Sequence, residues 1–388
     1  MAYNFSKTVD RTGTASVKLE QRMEMFGRAD VLPMWVADMD IEVAPFIMDA
    51  LTRRLNHPVL GYTIRNKQYH ESIAWWQNQR FGWKVNTDWI TYTPGIVAGL
   101  CHAVQAFTQP GDKVLIQTPV YHPFYTAVRQ NGRELVANSL QLVDGKYRID
   151  LDEFEKQISN GVKLFILCNP HNPVGRAWDL HELQSMAEIC LAHGVTIVAD
   201  EIHSDIIYQP YKHIPIASIS EEIQRNTITF NSPSKTFNVA GLATAYAIIP
   251  DKVKLEQFNK QLEENGTWHG NLMGYTALSA AYTPQGELWL QELLDHLRSN
   301  IKHVKRMLTG IPNVKLIEPE STYLLWLDFR ELKLSPSKLN DKLIAQAGLG
   351  LNEGKVFGVE GLGFQRMNIA CSTDVVVEAM NRLKQVFT

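Results

Sequence analysis

The chain has 388 residues, 45% of them hydrophobic and 20% charged, and its 38 basic and 41 acidic side chains leave a formal net charge of -3. That composition excludes disordered, collagen-like and small disulfide-stapled proteins, and the length points to two or three domains able to bury cores of their own. Near-neutral charge without a run of five or more like charges gives no long-range pull toward nucleic acid or an anionic membrane, so neither is expected as a partner.

Cys101, Cys168, Cys190 and Cys371 are too scattered for a disulfide framework and form no CxxC pair, so no metal site is expected and a reducing cytoplasm fits best. The opening residues, Met1 to Lys7, show no basic region followed by an apolar stretch, so no secretory signal is expected there. Residues 1–40 are expected to lie against a smaller domain or over the site. From Trp89 to Gly111 no Asp, Glu, Lys or Arg occurs, a length that could span a bilayer. Pro94-Gly95 interrupts it as a turn between a short strand and a helix, which makes it buried core instead.

Further along, Lys113–Gln117, Lys163–Cys168, Val195–Ala199, Thr227–Phe230 and Ala243–Ile249 are short, rich in β-branched residues and bounded by loop signals, so they read as buried strands. Asp179–His193 reads as a helix with Leu180, Leu183, Met186, Ala187 and Cys190 on its apolar face. Strands alternating with helices predict an α/β fold, a mostly parallel doubly wound sheet over 41–285, with ligands beyond the carboxyl ends of its strands. After about residue 285 the pattern changes: a long helix through Met307, a strand over Tyr323–Phe329, a helix over Pro336–Ala347, a strand over Met367–Ala370 and a last helix from about Asp374. Residues 286–388 therefore read as a smaller α+β domain, completed by 1–40.

The GxGxxG, GxxxxGK[ST], HExxH and GxSxG fingerprints are all absent. Ser232-Pro233-Ser234-Lys235 has the SxxK spacing of serine acyl-enzymes, but no KTG or SDN accompanies it and a parallel sheet is the wrong setting. A second constellation is more coherent, because its members follow predicted strands and should gather at one sheet edge. Asp200 follows Ala199 and wants a cation: a heterocycle nitrogen, a metal or a structural Arg or Lys. The Asn169–Gly175 turn could aim the Asn172 amide. Lys235 lies in a loop with Ser232 and Ser234, whose hydroxyls can donate to an anion, and Gly95-Ile96-Val97 opens a helix whose free N–H groups favour phosphate. Tyr121 could stack on a flat ligand. A lysine for imine formation, a carboxylate for a ring nitrogen, an aromatic platform and a phosphate cup are what pyridoxal 5'-phosphate requires.

These motifs resemble, over essentially the whole chain, the fold-type I pyridoxal-phosphate enzymes of the aspartate aminotransferase superfamily. Asn169-Pro-His-Asn-Pro-Val-Gly175 is similar to that family's NPxNPxG turn, Asp200-Glu201 to its DE pair, and Ser232-Pro-Ser-Lys235 to its lysine loop. The resemblance implies that Lys235 carries the cofactor, Asp200 pairs with its ring nitrogen, Asn172 bonds its phenolic oxygen and Tyr121 stacks on the ring. Ser232, Ser234 and Gly95-Ile96-Val97 would bind phosphate, with Tyr62 lent by the neighbouring subunit of a homodimer. Arg366 would clamp the α-carboxylate of a small amino-acid substrate, with Trp35, Asp38 and Tyr121 also facing that substrate.

Two departures from the aminotransferase pattern matter. Ala243 stands eight positions after Lys235, where many aminotransferases carry an arginine, and His203 stands three positions after Asp200 in place of a tyrosine. Both resemble the carbon-sulfur lyase branch, the cystathionine β-lyases of the MalY and PatB type. So do Met34-Trp-Val-Ala-Asp-Met-Asp40 and His171 inside the asparagine turn. The resemblance implies β-elimination of L-cystathionine or a related thioether to a thiol, pyruvate and ammonia, with His203 near the cofactor. Transamination, or a cofactor-bearing regulatory protein, are the alternatives.

Overall fold

The predicted apolar runs assemble into one seven-stranded sheet in a computed structural model, which describes residues 3–388. Its strands are β1 (Ile90–Thr93), β2 (Lys113–Thr118), β3 (Glu134–Ser139), β4 (Val162–Cys168), β5 (Thr196–Asp200), β6 (Thr227–Asn231) and β7 (Ala245–Ile248), in the spatial order β1-β7-β6-β5-β4-β2-β3. Strands β2 to β6 pair in parallel, and β7 is antiparallel to both neighbours. The exception has a local cause. Between β6 and β7 the chain forms only a short 3-10 turn, Ala240–Leu242, so it doubles back instead of crossing the sheet through a helix. Strands β4 and β5 are almost wholly buried, which is why their sequences are continuous apolar runs rather than alternating ones.

Helix α1 (Ile96–Phe107) leaves β1 through Pro94-Gly95, so the uncharged stretch is a strand and a helix as expected. Among the described residues no helix is long and apolar enough to cross a membrane. Helix α2 (Leu180–Ala192) starts at a capping box: the Asp179 carboxylate accepts from Glu182 N–H and the Glu182 carboxylate accepts from Asp179 N–H. It buries Leu183, Met186, Ala187 and Cys190, while Leu180, expected on that face, lies in the first turn and stays half exposed.

Past residue 283, helix α3 (Pro284–Leu308) and a second, antiparallel sheet take over, with strands β8 (Lys315–Leu316), β9 (Leu324–Asp328), β10 (Asn352–Glu353) and β11 (Phe364–Asn368) in the order β8-β9-β11-β10. Helix α4 (Thr373–Phe387) packs on α3 and shares a core with β9 and β11. Two expectations shift here. Strand β11 begins three residues earlier than the apolar pattern suggests, because Gln365 and Arg366 are buried polar residues inside it. The helix from Pro336 widens after Asp341, where Ala347 N–H bonds Lys342 O five residues back at 2.8 Å.

The N-terminal segment reaches across to this part of the chain: Leu32-Pro33 pairs in parallel with Leu349-Gly350, and Asn368 N–H donates to Met34 O at 2.9 Å. Residues 35–41 are then held from two sides. Asn368 Nδ2 donates to the Val36 and Asp38 carbonyls at 2.6 Å each, and Asn238 Nδ2, from the β6–β7 connection, donates to the Met39 and Ile41 carbonyls at 3.0 and 2.8 Å.

Candidate active site

Parallel pairing sets Cys168 opposite Asp200 and Asp200 opposite Phe230, so β4, β5 and β6 end level and their following loops meet at one edge. There they enclose a cavity of about 250 Å³, closed on one side by the start of α1. Its lining includes Ala37, Gly95, Ile96, Val97, Tyr121, Cys168, Asn172, Asp200, Ile202, His203, Ser232, Ser234, Lys235, Ala243 and Thr244. Helix α1 opens on Gly95, which supplies no side-chain cap, leaving the first helical N–H groups to whatever occupies the cavity.

The charges inside are far from their solution behaviour. Burial raises the Asp200 carboxyl to about 7, opposed by the Ile202 N–H that donates to its Oδ1 at 3.1 Å and by nearby Lys235. Burial, with Arg366 nearby, lowers Lys235 to about 8, opposed by Asp38 and Asp200. His203 is pushed well below the usual imidazole range by burial and by Lys235 and Arg366, and its Nδ1 has no hydrogen-bond partner among the described residues. The Lys235 Nζ donates to the Ala37 carbonyl at 2.7 Å.

Arg366 stands just behind this cavity. Its Nη1 donates to Asn172 Oδ1 at 3.0 Å, and its Nη2 donates to Asn352 Oδ1 at 2.6 Å and Trp35 O at 3.0 Å. The guanidinium carbon lies 4.7 Å from the Phe357 ring centroid. All its partners are neutral and its Nε is buried without an acceptor among the described residues, so burial lowers its pKa to about 10. A buried guanidinium without a carboxylate is an open anion site.

The loops are tied together below the cavity. Asp205 accepts from Trp76 Nε1 at 3.1 Å, Arg80 Nε at 3.2 Å and Thr236 Oγ1 at 2.8 Å, and Ser204 Oγ accepts from Asn231 Nδ2 at 2.9 Å. The loop presenting Asp200 and the loop presenting Lys235 are thereby stitched at two points. Behind Asp200, the buried Glu201 carboxylate takes His213 Nε2 at 3.0 Å and Ile216 N–H at 3.1 Å.

Besides Arg366, three residues predicted for the site do not line the cavity. The Trp35 indole donates to Lys18 O at 3.1 Å and stands edge-on to Phe26, so only its backbone carbonyl faces Arg366. The Asp38 carboxylate is engaged by Arg11 at 2.6 Å and Lys18 at 3.4 Å. Tyr62 is 99% exposed. Within the lining, the Ser232 hydroxyl donates to Thr244 O at 2.7 Å and accepts Ser234 N–H at 3.0 Å, so its proton is committed to the loop. Sequence reasoning missed Tyr323, Asn352, Asp205 and the Ala37 carbonyl; Asn352 lies in a two-residue, half-buried strand paired with Arg366, too short to leave an apolar pattern.

Residues 30–383 match the family described as aminotransferase class I and II. The chain belongs to that family. As a class I and II aminotransferase family member it is 44% identical to cystathionine beta-lyase PatB of Bacillus subtilis over 98% of this chain and 99% of that one. Among solved structures of the same fold, cystalysin from Treponema denticola, which contains a pyridoxal 5'-phosphate cofactor, superposes with a TM-score of 0.96 at 35% identity, covering 100% and 99% of the two chains. The PLP-bound C-S lyase from Staphylococcus hominis gives 0.92 at 32% identity with the same coverage. The family's mixed α/β fold with a large, mostly parallel sheet is the fold found here.

Proposed function

We propose that this chain is a pyridoxal-phosphate-dependent carbon-sulfur β-lyase acting on L-cystathionine or a related thioether amino acid. One observation carries the reading: a half-buried lysine of lowered pKa and a buried carboxylate share a cavity of about 250 Å³, beside a buried guanidinium that has only neutral partners. Similarity to PatB along nearly the whole chain supports the reaction class.

The donor set fits the cofactor. Asp200 is a buried carboxylate with one N–H partner, suited to a protonated ring nitrogen, and the open N–H groups of Ile96 and Val97 with the Ser234 hydroxyl suit a phosphate. Asn172 gives its oxygen to Arg366, so its Nδ2 is the end free for a phenolic oxygen, with His203 beside it. Tyr121 would cover the ring face. Bound there, pyridoxal phosphate supplies the sink for the electron pair left when the substrate Cα–H bond breaks. Lys235 would hold the cofactor between turnovers and, once displaced by the substrate amine, take the Cα proton at Nζ. Arg366 would fix the substrate carboxylate and so aim that proton at the lysine, and the thiolate would leave from Cβ.

The same reading assigns residues 41–285 to a large domain, and 1–40 with 286–388 to a smaller one, supported by the pairing of Leu32-Pro33 with Leu349-Gly350. It includes a homodimer. Val59, Leu60, Tyr62 and Ile64 are exposed in one segment, beside a cavity of about 650 Å³ lined by Arg54, whose Nη1 is buried without a partner among the described residues. All four cysteines are free, which suits a cytoplasmic setting.

The experiment is to incubate the loaded protein with cystathionine and, separately, with an amino acid plus 2-oxoglutarate. Thiol and pyruvate without glutamate are expected, with Lys235→Ala inactive. Glutamate as the main product would replace the lyase with a transaminase, and a protein that gains no borohydride-sensitive visible absorbance on reconstitution would remove the cofactor assignment altogether.

A further inference from the structure

Tyr323 and Lys235 meet on one oxygen. The Tyr323 hydroxyl donates to the Ala37 carbonyl at 3.0 Å, and the lysine Nζ donates to that same carbonyl at 2.7 Å. The three groups come from separate parts of the chain: Lys235 from the β6–β7 connection, Tyr323 from just before β9, and Ala37 from the N-terminal segment. The peptide is fixed independently of both donors, because Asn368 Nδ2 holds the carbonyls of Val36 and Asp38 on either side of it. Tyr323 is fully buried and burial holds its phenol well above the usual tyrosine range, so its hydroxyl keeps its proton and acts as a donor.

A carbonyl oxygen offers two lone pairs, and here each has a donor. Two donors on one acceptor compete for its electron density, so each bond is weaker than it would be alone. With the carbonyl anchored by Asn368, the phenol adjusts the strength of the seat rather than its position.

We propose that Tyr323 is a positioning residue that acts through the Ala37 carbonyl: by occupying one lone pair, it limits how tightly that carbonyl holds the Lys235 ammonium, leaving the lysine free to give up its proton and enter the reaction. This rests on the reading of Lys235 as the reacting amine. The other groups that face the lysine are Asp200 and Asp38, which favour its charge, and Arg366, which opposes it, with neutral His203 and Tyr121 completing the lining. None of them is bonded to the Tyr323 hydroxyl, so removing that hydroxyl changes the shared carbonyl and leaves the surrounding charges in place.

The test compares Tyr323→Phe with the parent and with Tyr246→Phe, which loses an equally buried hydroxyl bonded to Gln77 at 3.0 Å away from the lysine. In the full-length chain before cofactor is added, competitive acetylation with acetic anhydride across a pH series, read by mass spectrometry of the Lys235 peptide, gives the pH of half-labelling. That pH rises in Tyr323→Phe by about half a unit and stays fixed in Tyr246→Phe, since a lone ammonium donor bonds the carbonyl more strongly. In the loaded enzyme, the corresponding change is a roughly threefold fall in kcat near pH 7 that recovers above pH 9, with KM within twofold. An unchanged or lowered half-labelling pH in Tyr323→Phe, or an equal rise in Tyr246→Phe, overturns the proposal. A rise in labelling pH in a protein that forms no pyruvate from cystathionine leaves the proposal standing and overturns the lyase reading instead.

Discussion

Arg366 Nη1 donates to Asn172 Oδ1 at 3.0 Å, joining a strand of the small sheet to the turn that follows β4 in the large one. The contact orients both groups, since it turns the Asn172 NH2 away from the guanidinium, whose Nε has no acceptor among the described residues. A lysine at 366 would keep the charge but lose the fork that can hold a carboxylate and Asn172 together. Arg366→Lys is expected to raise KM for the amino-acid substrate roughly 10- to 100-fold, about 1.4–2.8 kcal/mol, while the visible spectrum of the loaded protein stays unchanged. Steady-state kinetics decide it, and an unaltered KM would remove Arg366 from substrate binding.

The carboxyl of Asp200, raised to about 7 by burial, makes a prediction for the cofactor-free chain. An unfolded aspartate ionises near 3.9, so between about pH 4 and pH 7 the folded state binds the extra proton and stability falls as pH rises. Lys235, lowered to about 8, has the opposite slope: from about pH 8 to the ordinary lysine range the unfolded state binds the extra proton, and stability rises with pH. Asp200→Asn abolishes the first slope only. In denaturant melts of the cofactor-free chain, the variant should gain about 2–4 kcal/mol on the parent between pH 4 and pH 7.5. Parallel stability curves over that interval would show that Asp200 ionises normally.

Lys235, Asp200 and Asn172 were legible in the sequence because each follows a short apolar strand, and the carboxyl ends of parallel strands share an edge. The reversed direction of β7 was not legible, since an apolar run carries no sign of its orientation. Arg366 could be named but its strand was misplaced, because buried polar residues interrupt the apolar pattern that marks a strand. Tyr323 meets Ala37 across 286 positions of the chain, Asn352 sits 14 positions before Arg366 in a strand of two residues without an apolar run, and Ala37 acts through a backbone oxygen that any residue would supply. Trp35 looked like a pocket aromatic, yet its indole is satisfied by Lys18 O; which face an aromatic turns inward is decided by packing.

Asp205 gathers three donors, Trp76 Nε1, Arg80 Nε and the hydroxyl of Thr236, next to Lys235. Removing the carboxylate leaves two buried donors and the charged, half-buried Arg80 Nε without it, although Glu287 still takes Arg80 Nη1 at 2.8 Å. Asp205→Ala should therefore lose about 3–5 kcal/mol in urea unfolding, and Thr236→Val, which removes one donor and leaves Asp205 two others, only about 1 kcal/mol. Equal losses would mean that the network is not centred on the carboxylate.

Tyr62 supplies the sharpest test of the assembly, because in a single chain it is almost fully exposed and absent from the cavity lining. If its hydroxyl serves the phosphate of a neighbouring subunit, Tyr62→Ala harms the partner's site and spares its own, whereas Lys235→Ala harms its own. A mixed dimer of the two variants then contains one site with both defects and one with neither. Tyr62→Ala alone should bind the cofactor more weakly by roughly 10-fold, as loss of one charge-assisted hydrogen bond implies. Co-refolding equal amounts of the variants at low cofactor should give more pyruvate than the sum of the separate proteins, approaching a quarter of the parent rate if subunits pair at random. Additive activity in the mixture would place Tyr62 outside the partner's site.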